Sequence, residues 1–435
     1  MGHTGLVRYT VALVGCLSEK YPPQKLLDFG RQVYVIHVLT AFRHTYDSGK
    51  NTYNGKKGKT MQFIDLKAQY LALKTDIDQA MQAVLNRSEF IMGSEVAALE
   101  TEISDYLGIK HTVTCANGTD ALQMLYMAYG IGQGDAVFCA DITFVASTEP
   151  ACMLGATPVF CDVEADSFNI CPNSLERQIQ AVKDEGKLRP RAIIAVDFLG
   201  NPADYKALST IAQKHEILLI EDAAQSFGGM QGDRMCGAFG HSATTSFFPA
   251  KPLGCYGDGG AVMTDDDRVA DICRSIRVHG KGASKYENVR IGVNSRLDTL
   301  QAAVLRVKLK ALQEYEINKR QEVAARYNDA LSQHFTILNI AEGNRSVYAQ
   351  YAFLAKDTTQ RDDIAERLKV KEIPNMIYYP YPQHVLEIFR DVSSYGETFA
   401  VANDYCARTL SLPMHPYLDE KDQDAVIDTV LKVVR

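Results

Sequence analysis

Apolar residues recur along this chain at two different spacings, and the two spacings alternate from about residue 61 onward. Steps of three and four residues predict amphipathic helices over 69–85 and 95–107, and then from about residue 120, over 143–154, 174–184, 203–215 and 265–277. Short runs of apolar and β-branched residues predict strands at 111–115, 135–139, 157–162, 191–200, 216–222, 244–248 and 261–264.

The predicted strands are largely apolar and lie between amphipathic helices, which is typical of a mostly parallel sheet covered on both faces. A further helical pattern begins at Leu297 and extends toward residue 331. It leads into a smaller segment with a predicted strand at 348–354, a helix at 362–368 and a closing helix from about Glu420. We therefore predict an α/β fold with a large domain at 61–307 and a small C-terminal α+β domain at 308–435.

The first sixty residues do not share this pattern. They show no sustained periodicity, carry nine basic and three acidic residues, and end in a polar stretch at 47–59. Such a stretch reads as a linker. We predict that residues 1–60 form an extension outside the fold, and the hypothesis includes Met61 as the natural start.

Composition narrows the function classes. The net charge of −7 does not favour a nucleic-acid partner, and no apolar run approaches the ~20 residues that a membrane helix needs. The ten cysteines include no Cys-x-x-Cys pair and no zinc-ligand spacing with histidine. We therefore predict no metal site, no disulfide framework and a location in the reducing cytoplasm.

A single lysine, Lys251, lies between two prolines in a loop that follows the predicted strand 244–248. Proline fixes φ, and the glycines that follow supply tight-turn conformations, so the amine is held on a stiff loop. This placement suits a lysine whose neutral amine attacks a carbonyl. The alternative is a solvated surface lysine in a hairpin loop.

Other polar residues fall at the carboxyl ends of predicted strands, where parallel sheets bind their ligands. The Asn-Gly-Thr turn at 117–119 precedes a helix, whose first N–H groups suit a phosphate, although the same residues are ordinary helix caps. The carboxylate of Asp222 suits a heterocyclic N–H with Gln225 one turn on, or it caps a following helix. Together with Asp197 and Lys251, these features favour a ligand site at one edge of the sheet.

From Met61 to the C-terminus the sequence resembles the nucleotide-sugar aminotransferases of the DegT/DnrJ/EryC1/StrS group, which depend on pyridoxal 5′-phosphate (PLP). The matching blocks are Phe-Ile-Asp-Leu at 63–66, Cys-Ala-Asn-Gly-Thr-Asp-Ala-Leu at 115–122, Glu-Asp-Ala-Ala-Gln at 221–225, the run around Lys251 at 246–260, and Asn-x-Arg-Leu-Asp-x-Leu-Gln-Ala-Ala at 294–303. The resemblance implies the fold type I (aspartate aminotransferase-like) architecture with a mostly parallel seven-stranded sheet.

The resemblance also implies roles for individual residues. Lys251 binds PLP as a Schiff base and then moves the proton between the two carbon atoms of the reaction. Asp222 pairs with the pyridinium nitrogen, and Gln225 contacts the hydroxyl side of the ring. Phe144 packs on the ring face, with a core aromatic as the alternative.

The cofactor phosphate is held, by the same resemblance, by Gly118, Thr119 and Ser246. Asn294 comes from the neighbouring subunit, so the resemblance implies a homodimer with active sites at the subunit interface.

The run around Lys251 is most similar to enzymes that aminate UDP-2-acetamido-2-deoxy-3-oxo-glucuronate with L-glutamate as donor, for bacterial surface polysaccharide. The positions that face the nucleotide sugar in this family are occupied by Arg277, His279, Tyr379 and His384. Gln383 and Asn288 depart from the common pattern, where leucine and histidine are usual. These departures concern the sugar and not the cofactor chemistry.

Three alternatives stay open at this point. The keto sugar is a 4-oxo UDP- or dTDP-sugar, the protein is a PLP-dependent sugar dehydratase, or it is a non-catalytic PLP-binding regulator. Dehydratases of this fold have histidine in place of the lysine, so Lys251 argues against the second alternative. Every expected site position holds a chemically suitable residue, which argues against the third.

Overall fold

The computed structural model describes residues 60–284 and 286–434. Residues 61–435 form one compact unit. The predicted extension at 1–60 lies, apart from Thr60, outside the described residues, so it stays a prediction. Of the helices in the described part of the chain, none is long and apolar enough to cross a membrane.

The helices and strands alternate through the first two thirds of this unit. The helices are α1 (Leu66–Arg87), α2 (Ser94–Leu107), α3 (Gly118–Tyr129), α4 (Glu149–Met153), α5 (Pro172–Glu185), α6 (Tyr205–His215), α7 (Asp267–Ile276), α8 (Thr299–Ala311), α9 (Ile317–Leu331), α10 (Thr358–Val370), α11 (Ala400–Arg408) and α12 (Glu420–Leu431). The strands are β1 (His111–Cys115), β2 (Asp135–Ala140), β3 (Thr157–Cys161), β4 (Arg189–Val196), β5 (Leu218–Asp222), β6 (Met230–Gln231), β7 (Arg234–Met235), β8 (Ser242–Ser246), β9 (Gly260–Thr264), β10 (Thr336–Ile337), β11 (Asn344–Arg345), β12 (Tyr351–Leu354) and β13 (Thr409–Leu412).

The main sheet has seven strands in the order β1-β9-β8-β5-β4-β2-β3. All neighbouring pairs are parallel except those of β9, which runs antiparallel to both β1 and β8. The predicted α/β fold with a mostly parallel seven-stranded sheet is therefore confirmed.

Both faces of this sheet are buried, as the unbroken apolar strands predict. Phe138 and Ile193 belong to the core on one face, and their neighbours Val137 and Ile194 belong to the core on the other. Alternate residues of one strand point to opposite faces, so a strand covered on both sides is apolar along most of its length and does not alternate with polar residues.

Two predicted elements differ from the structure. The helix expected at 143–154 is a 3₁₀ turn (Val145–Ser147) followed by the short α4, which starts afresh with Pro150 in its first turn, where a missing N–H costs nothing. The strand expected at 191–200 ends at Val196. Asp197 stops it, because its carboxylate accepts bonds from the backbone N–H of Ala203 (2.9 Å) and from a tyrosine hydroxyl and so turns the chain.

The long helix predicted from Leu297 is present as α8, a π-helical turn (Leu312–Glu316) and α9 in direct succession. It leads into a second, three-stranded antiparallel sheet in the order β10-β12-β13. The proposed domain boundary at 307/308 falls inside α8 and stays a prediction.

Candidate active site

One edge of the main sheet brings together several segments that are distant in sequence. The last residue of β1, Cys115, pairs with Gly260, and Gly260 also pairs with Ser246 at the end of β8. Asp222 ends β5 and pairs with Thr244 of β8. Because β9 runs antiparallel, its start lies at the same edge as the carboxyl ends of its neighbours, where ligands of such sheets bind.

The turn before α3 forms an anion seat at this edge. Helix α3 begins at Gly118, and the side chain of Asn117 caps it by accepting a bond from the N–H of Asp120 (2.8 Å). The first N–H groups of a helix have no partner within the helix and carry partial positive charge. Both interpretations of this turn are therefore compatible, since the cap fixes the helix start that presents the N–H groups.

Close packing explains the glycines around this seat. A Cβ on Gly118 would lie 2.8 Å from Cβ of Ser246, and one on Gly260 would lie 2.4 Å from the carbonyl carbon of Asn117. No side chain fits at either position without moving backbone. The Ser246 side chain is thus held beside the N-terminus of α3. That Gly118, Thr119 and Ser246 hold a cofactor phosphate stays a prediction.

Asp222 is buried, and its carboxylate is held by two donors. Ser147 Oγ donates to Oδ2 at 2.8 Å, and the backbone N–H of Ala224 donates to Oδ1 at 3.2 Å. Burial raises the pKa of Asp222, while Ser147 and the charge of Lys251 oppose that rise. The residues that follow form turns and no helix, so the helix-cap interpretation of Asp222 is wrong.

Lys251 is only partly exposed, so it is not a solvated surface lysine. Burial lowers the pKa of its amine, and the charge of Asp222 acts in the opposite direction. A lowered pKa increases the fraction of neutral, nucleophilic amine. The surface-lysine alternative is therefore wrong.

A second lysine, Lys308, holds the loop that follows Lys251 in place. Lys308 of α8 is 1% exposed, and its ammonium donates a hydrogen bond to the carbonyl of Gly254. It also lies 5.2 Å from the centre of the Tyr256 ring. Burial lowers the pKa of Lys308 to about 8.

Gln225, Phe144 and Tyr379 surround the same region. Gln225 is buried, and its Oε1 accepts a bond from the N–H of Leu199 (2.9 Å). The Phe144 ring is 55% exposed, so the core-aromatic alternative is wrong, and it lies 6.3 Å from the Tyr379 ring. Burial raises the pKa of Tyr379, and the neighbouring Gln225 opposes that rise. The structure thus brings these three predicted residues together.

His384 lies in a 3₁₀ turn (Gln383–Val385) that contacts Asp141, the residue directly after β2. In the sheet, β4 separates β2 from β5, the strand that ends at Asp222. The backbone N–H and the Nδ1 of His384 both contact the carboxylate of Asp141, at 2.9 and 2.6 Å. The neighbouring Gln383 donates from Nε2 to the carbonyl of Thr143 at 2.7 Å. The predicted substrate segment is therefore attached to the loop that carries Phe144.

Arg277 is placed differently from the expectation. It is buried, and its Nη1 donates to Glu100 (2.6 Å) and to the carbonyl of Thr114 (2.9 Å). The guanidinium therefore binds α2 and β1 of its own subunit. This position of Arg277 does not support a role in substrate binding.

His279 and Asn294 lie on two adjacent segments of the irregular region between α7 and α8. His279 donates its backbone N–H to Val293 (2.9 Å), and Asn294 forms a bridge with Val278. Both side chains are exposed. An exposed Asn294 suits a contact with a second subunit, and that role stays a prediction.

Two site residues, Ser147 and Asp141, were not predicted from the sequence. Asp141 directly follows the apolar β2. Parallel sheets bind ligands at the carboxyl ends of their strands, so the argument that identified Asp222 applies equally to Asp141. Ser147 sits in a stretch predicted as helix, and only its bond to Asp222 reveals its role.

A buried acidic cluster lies below the site and includes Asp197, Glu221 and Cys236. The oxygens of Asp197 accept bonds from Tyr205 (2.7 Å), from Ser226 (2.6 Å) and from a backbone N–H. The carboxylate of Glu221 accepts hydrogen bonds from the backbone N–H groups of Gly237 and Phe239, and burial raises the pKa of Glu221. These donors already engage the carboxylate oxygens, which is typical of a structural acid pair.

Comparison with known proteins gives one consistent result. The sequence profile described as the DegT/DnrJ/EryC1/StrS aminotransferase family matches residues 72–431. A protein of Pseudomonas aeruginosa named UDP-2-acetamido-2-deoxy-3-oxo-D-glucuronate aminotransferase is 43% identical over 361 residues, which cover 82% of this chain and 96% of that protein.

Solved structures agree with the sequence comparison. A DegT DnrJ EryC1 StrS aminotransferase from Brucella abortus superposes with a TM-score of 0.83 at 47% identity, covering 86% of this chain and 99% of that one. The S. venezuelae protein DesV, solved in complex with a ketimine intermediate, superposes with a TM-score of 0.81 at 33% identity, covering 87% and 100%.

Proposed function

Because the chain belongs to the DegT/DnrJ/EryC1/StrS aminotransferase family, we propose that it aminates UDP-2-acetamido-2-deoxy-3-oxo-glucuronate with L-glutamate as the amino donor. Its activity is that of a PLP-dependent sugar aminotransferase of fold type I. The choice of sugar rests on the identity with the Pseudomonas aeruginosa relative. The choice of donor rests on the resemblance of the run around Lys251.

The residues of the site fit PLP. Asp222 offers a buried carboxylate for the ring N–H, and Ser147 holds that carboxylate in place. The N-terminus of α3 at Gly118 and Thr119, with the Ser246 hydroxyl, offers donors for a dianionic phosphate.

Two further side chains fit the ring. The exposed face of Phe144 suits stacking, and the buried Gln225 lies beside Tyr379. When bound, PLP supplies the conjugated ring that withdraws electrons and carries the amino group between the two substrates.

The observation that carries the proposal is the partly buried amine of Lys251 under the influence of the buried carboxylate of Asp222, at the edge of the sheet where Gly118 and Ser246 meet. In the donor half of the reaction, Lys251 Nζ accepts the proton from the α-carbon of glutamate. In the second half it delivers a proton to the sugar carbon that gains the amine. A desolvated amine with a lowered pKa suits this exchange, because proton transfer is most efficient when the pKa lies near the working pH.

The nucleotide sugar is proposed to bind against Tyr379, His384 and His279, with Arg277 supporting β1 from below. We further propose a homodimer in which Asn294 reaches the partner's site. The pathway proposed is lipopolysaccharide (O-antigen) biosynthesis in the cytoplasm, and the free thiols of the nine described cysteines accord with a reducing compartment.

The test is spectroscopic and then enzymatic. The protein reconstituted with PLP is expected to show the absorbance change of amino-group uptake on addition of L-glutamate. The aminated cofactor form is then offered 3-oxo and 4-oxo UDP- and dTDP-sugars in parallel, with amine formation followed by mass spectrometry. Amination of a 4-oxo sugar in preference to the 3-oxo glucuronate would overturn the substrate proposal and leave the aminotransferase activity intact.

A further inference from the structure

One aspartate beside the substrate segment binds a single residue with both of its oxygens. Asp141 follows β2 directly and is fully buried. Its Oδ1 accepts the backbone N–H of His384 at 2.9 Å, and its Oδ2 contacts Nδ1 of the same residue at 2.6 Å. The two residues are 243 positions apart in sequence, so this contact is built by the fold and not by a local turn.

Further contacts prevent the imidazole of His384 from turning. The Phe399 ring stacks on it at 4.4 Å with an interplanar angle of 17°. The preceding Gln383 donates its backbone N–H to the carbonyl of Asp141 at 2.7 Å. The His384 side chain is 24% exposed, so one edge of this fixed ring still meets solvent.

The contact with Asp141 decides which ring nitrogen carries the proton. Burial raises the pKa of Asp141 to about 6, and the contacts with His384 oppose that rise. Above this pH the carboxylate is an acceptor only, so Nδ1 must donate to it. In a neutral imidazole Nε2 is then left with a lone pair. A group that meets this nitrogen must be a hydrogen-bond donor, such as a sugar hydroxyl.

We propose that Asp141 is a positioning residue for the sugar half of the reaction, which fixes the Nδ1–H tautomer of His384 so that Nε2 accepts a hydrogen bond from a hydroxyl of the keto sugar. The inference rests on the proposed function, in which the segment around Tyr379 and His384 binds the nucleotide sugar. It adds a residue outside that segment and a direction for the hydrogen bond.

The substitution Asp141→Asn tests the tautomer with little change in shape. One oxygen remains to accept the backbone N–H of His384, so the attachment of the segment is kept. The amide nitrogen now donates toward Nδ1, which moves the ring proton to Nε2 and makes that nitrogen a donor. A purely structural aspartate would tolerate this change, whereas a positioning aspartate would not.

Steady-state and half-reaction kinetics give the first readout. For Asp141→Asn we expect KM for the 3-oxo sugar to rise at least tenfold, while the rate of amino-group uptake from L-glutamate stays within twofold of wild type. An analogue lacking the recognised hydroxyl should bind wild type and variant equally. Equal KM for the full substrate in both proteins would overturn the proposal, and so would a parallel loss in both half-reactions.

Histidine ¹⁵N chemical shifts give a second readout that does not depend on the identity of the sugar. With ¹⁵N-histidine protein and His384→Gln for assignment, wild type should show Nδ1 protonated and Asp141→Asn should show Nε2 protonated. An Nε2–H tautomer in wild type would overturn the inference even if the sugar is correct. Failure of every sugar to react would overturn the proposed function and leave the tautomer result to stand.

A matched control is available at Asp162, a buried aspartate that follows β3 and accepts the backbone N–H groups of Val401 (3.1 Å) and Ala402 (2.9 Å). Asp162→Asn removes a buried charge of the same kind beside the neighbouring strand of the main sheet, and it leaves the contact between Asp141 and His384 in place. It is expected to leave the sugar KM within twofold, which separates a tautomer effect from a general loss of buried charge.

Discussion

Ser147 Oγ donates a hydrogen bond of 2.8 Å to Oδ2 of Asp222, and Thr143 Oγ1 lies 2.8 Å from the same serine hydroxyl. This relay runs from the loop after β2 to the end of β5, two strands away in the sheet. The orientation of the Asp222 carboxylate, which we propose pairs with the cofactor ring, therefore depends on a loop outside the matching sequence blocks.

Ser147→Ala removes the donor from a buried carboxylate. A hydrogen bond to a charged group contributes about 1.5–3 kcal/mol, so we expect PLP affinity to fall by roughly ten- to a hundredfold. Titration of the apoprotein with PLP, followed by absorbance, measures this. Ser332→Ala at the exposed end of α9 is the control and should bind PLP as wild type does. Equal affinity of both variants would show that Ser147 does not support Asp222.

Lys251→Ala should abolish transamination, with a loss of at least about a thousandfold in kcat, because the variant lacks both the covalent anchor and the proton carrier. The absorbance change on adding L-glutamate should disappear as well. Lys310→Ala, an exposed lysine of α8, serves as the control. Retained turnover in the Lys251 variant would refute the assignment of this lysine.

The sugar half of the reaction should weaken in acid. The pKa of Asp141 is about 6 because burial and the nearby charge of Asp162 raise it, while His384 lowers it. Below that pH the carboxyl is protonated and no longer an obligate acceptor for Nδ1–H. We expect the sugar KM to rise about tenfold per pH unit below 6. In Asp141→Asn this pH dependence of the sugar KM should vanish. If KM still rises at low pH in that variant, a group other than Asp141 is responsible for the rise.

Lys308→Met keeps the length of a buried side chain but removes its donor to Gly254. A buried carbonyl left without its partner costs about 1–3 kcal/mol, so Tm and PLP affinity should both fall. Differential scanning fluorimetry with and without PLP reads both. Lys369→Met, at an exposed position of α10, is the control. An unchanged Tm in the Lys308 variant would contradict the role of this bond.

The proposed sharing of sites can be tested by mixing two inactive variants. If Asn294 serves the partner's site, a hybrid dimer of Lys251→Ala and Asn294→Ala subunits contains one intact site. Random exchange would then restore about one quarter of wild-type activity. If Asn294 serves its own subunit, the mixture stays inactive.

Much of this molecule was predictable because the strands of its main sheet are mostly runs of apolar and β-branched residues. That pattern located all seven strands to within a few residues and placed Asp222 at the carboxyl end of β5. Residues that act through a side-chain partner were not predictable. Arg277 has the charge expected of a substrate ligand, but Glu100 of α2 engages it, and nothing in the spacing of the two residues indicates the pair.

The antiparallel strand β9 has a consequence for the order in which the protein assembles. His111 pairs with Thr264 at the far end of the same ladder that joins Cys115 to Gly260. Closing a loop of this length is entropically costly and slow. A nascent chain therefore cannot complete the anion seat until residue 264 has left the ribosome, so binding of the cofactor at the proposed site would come late in synthesis and would report completion of the sheet.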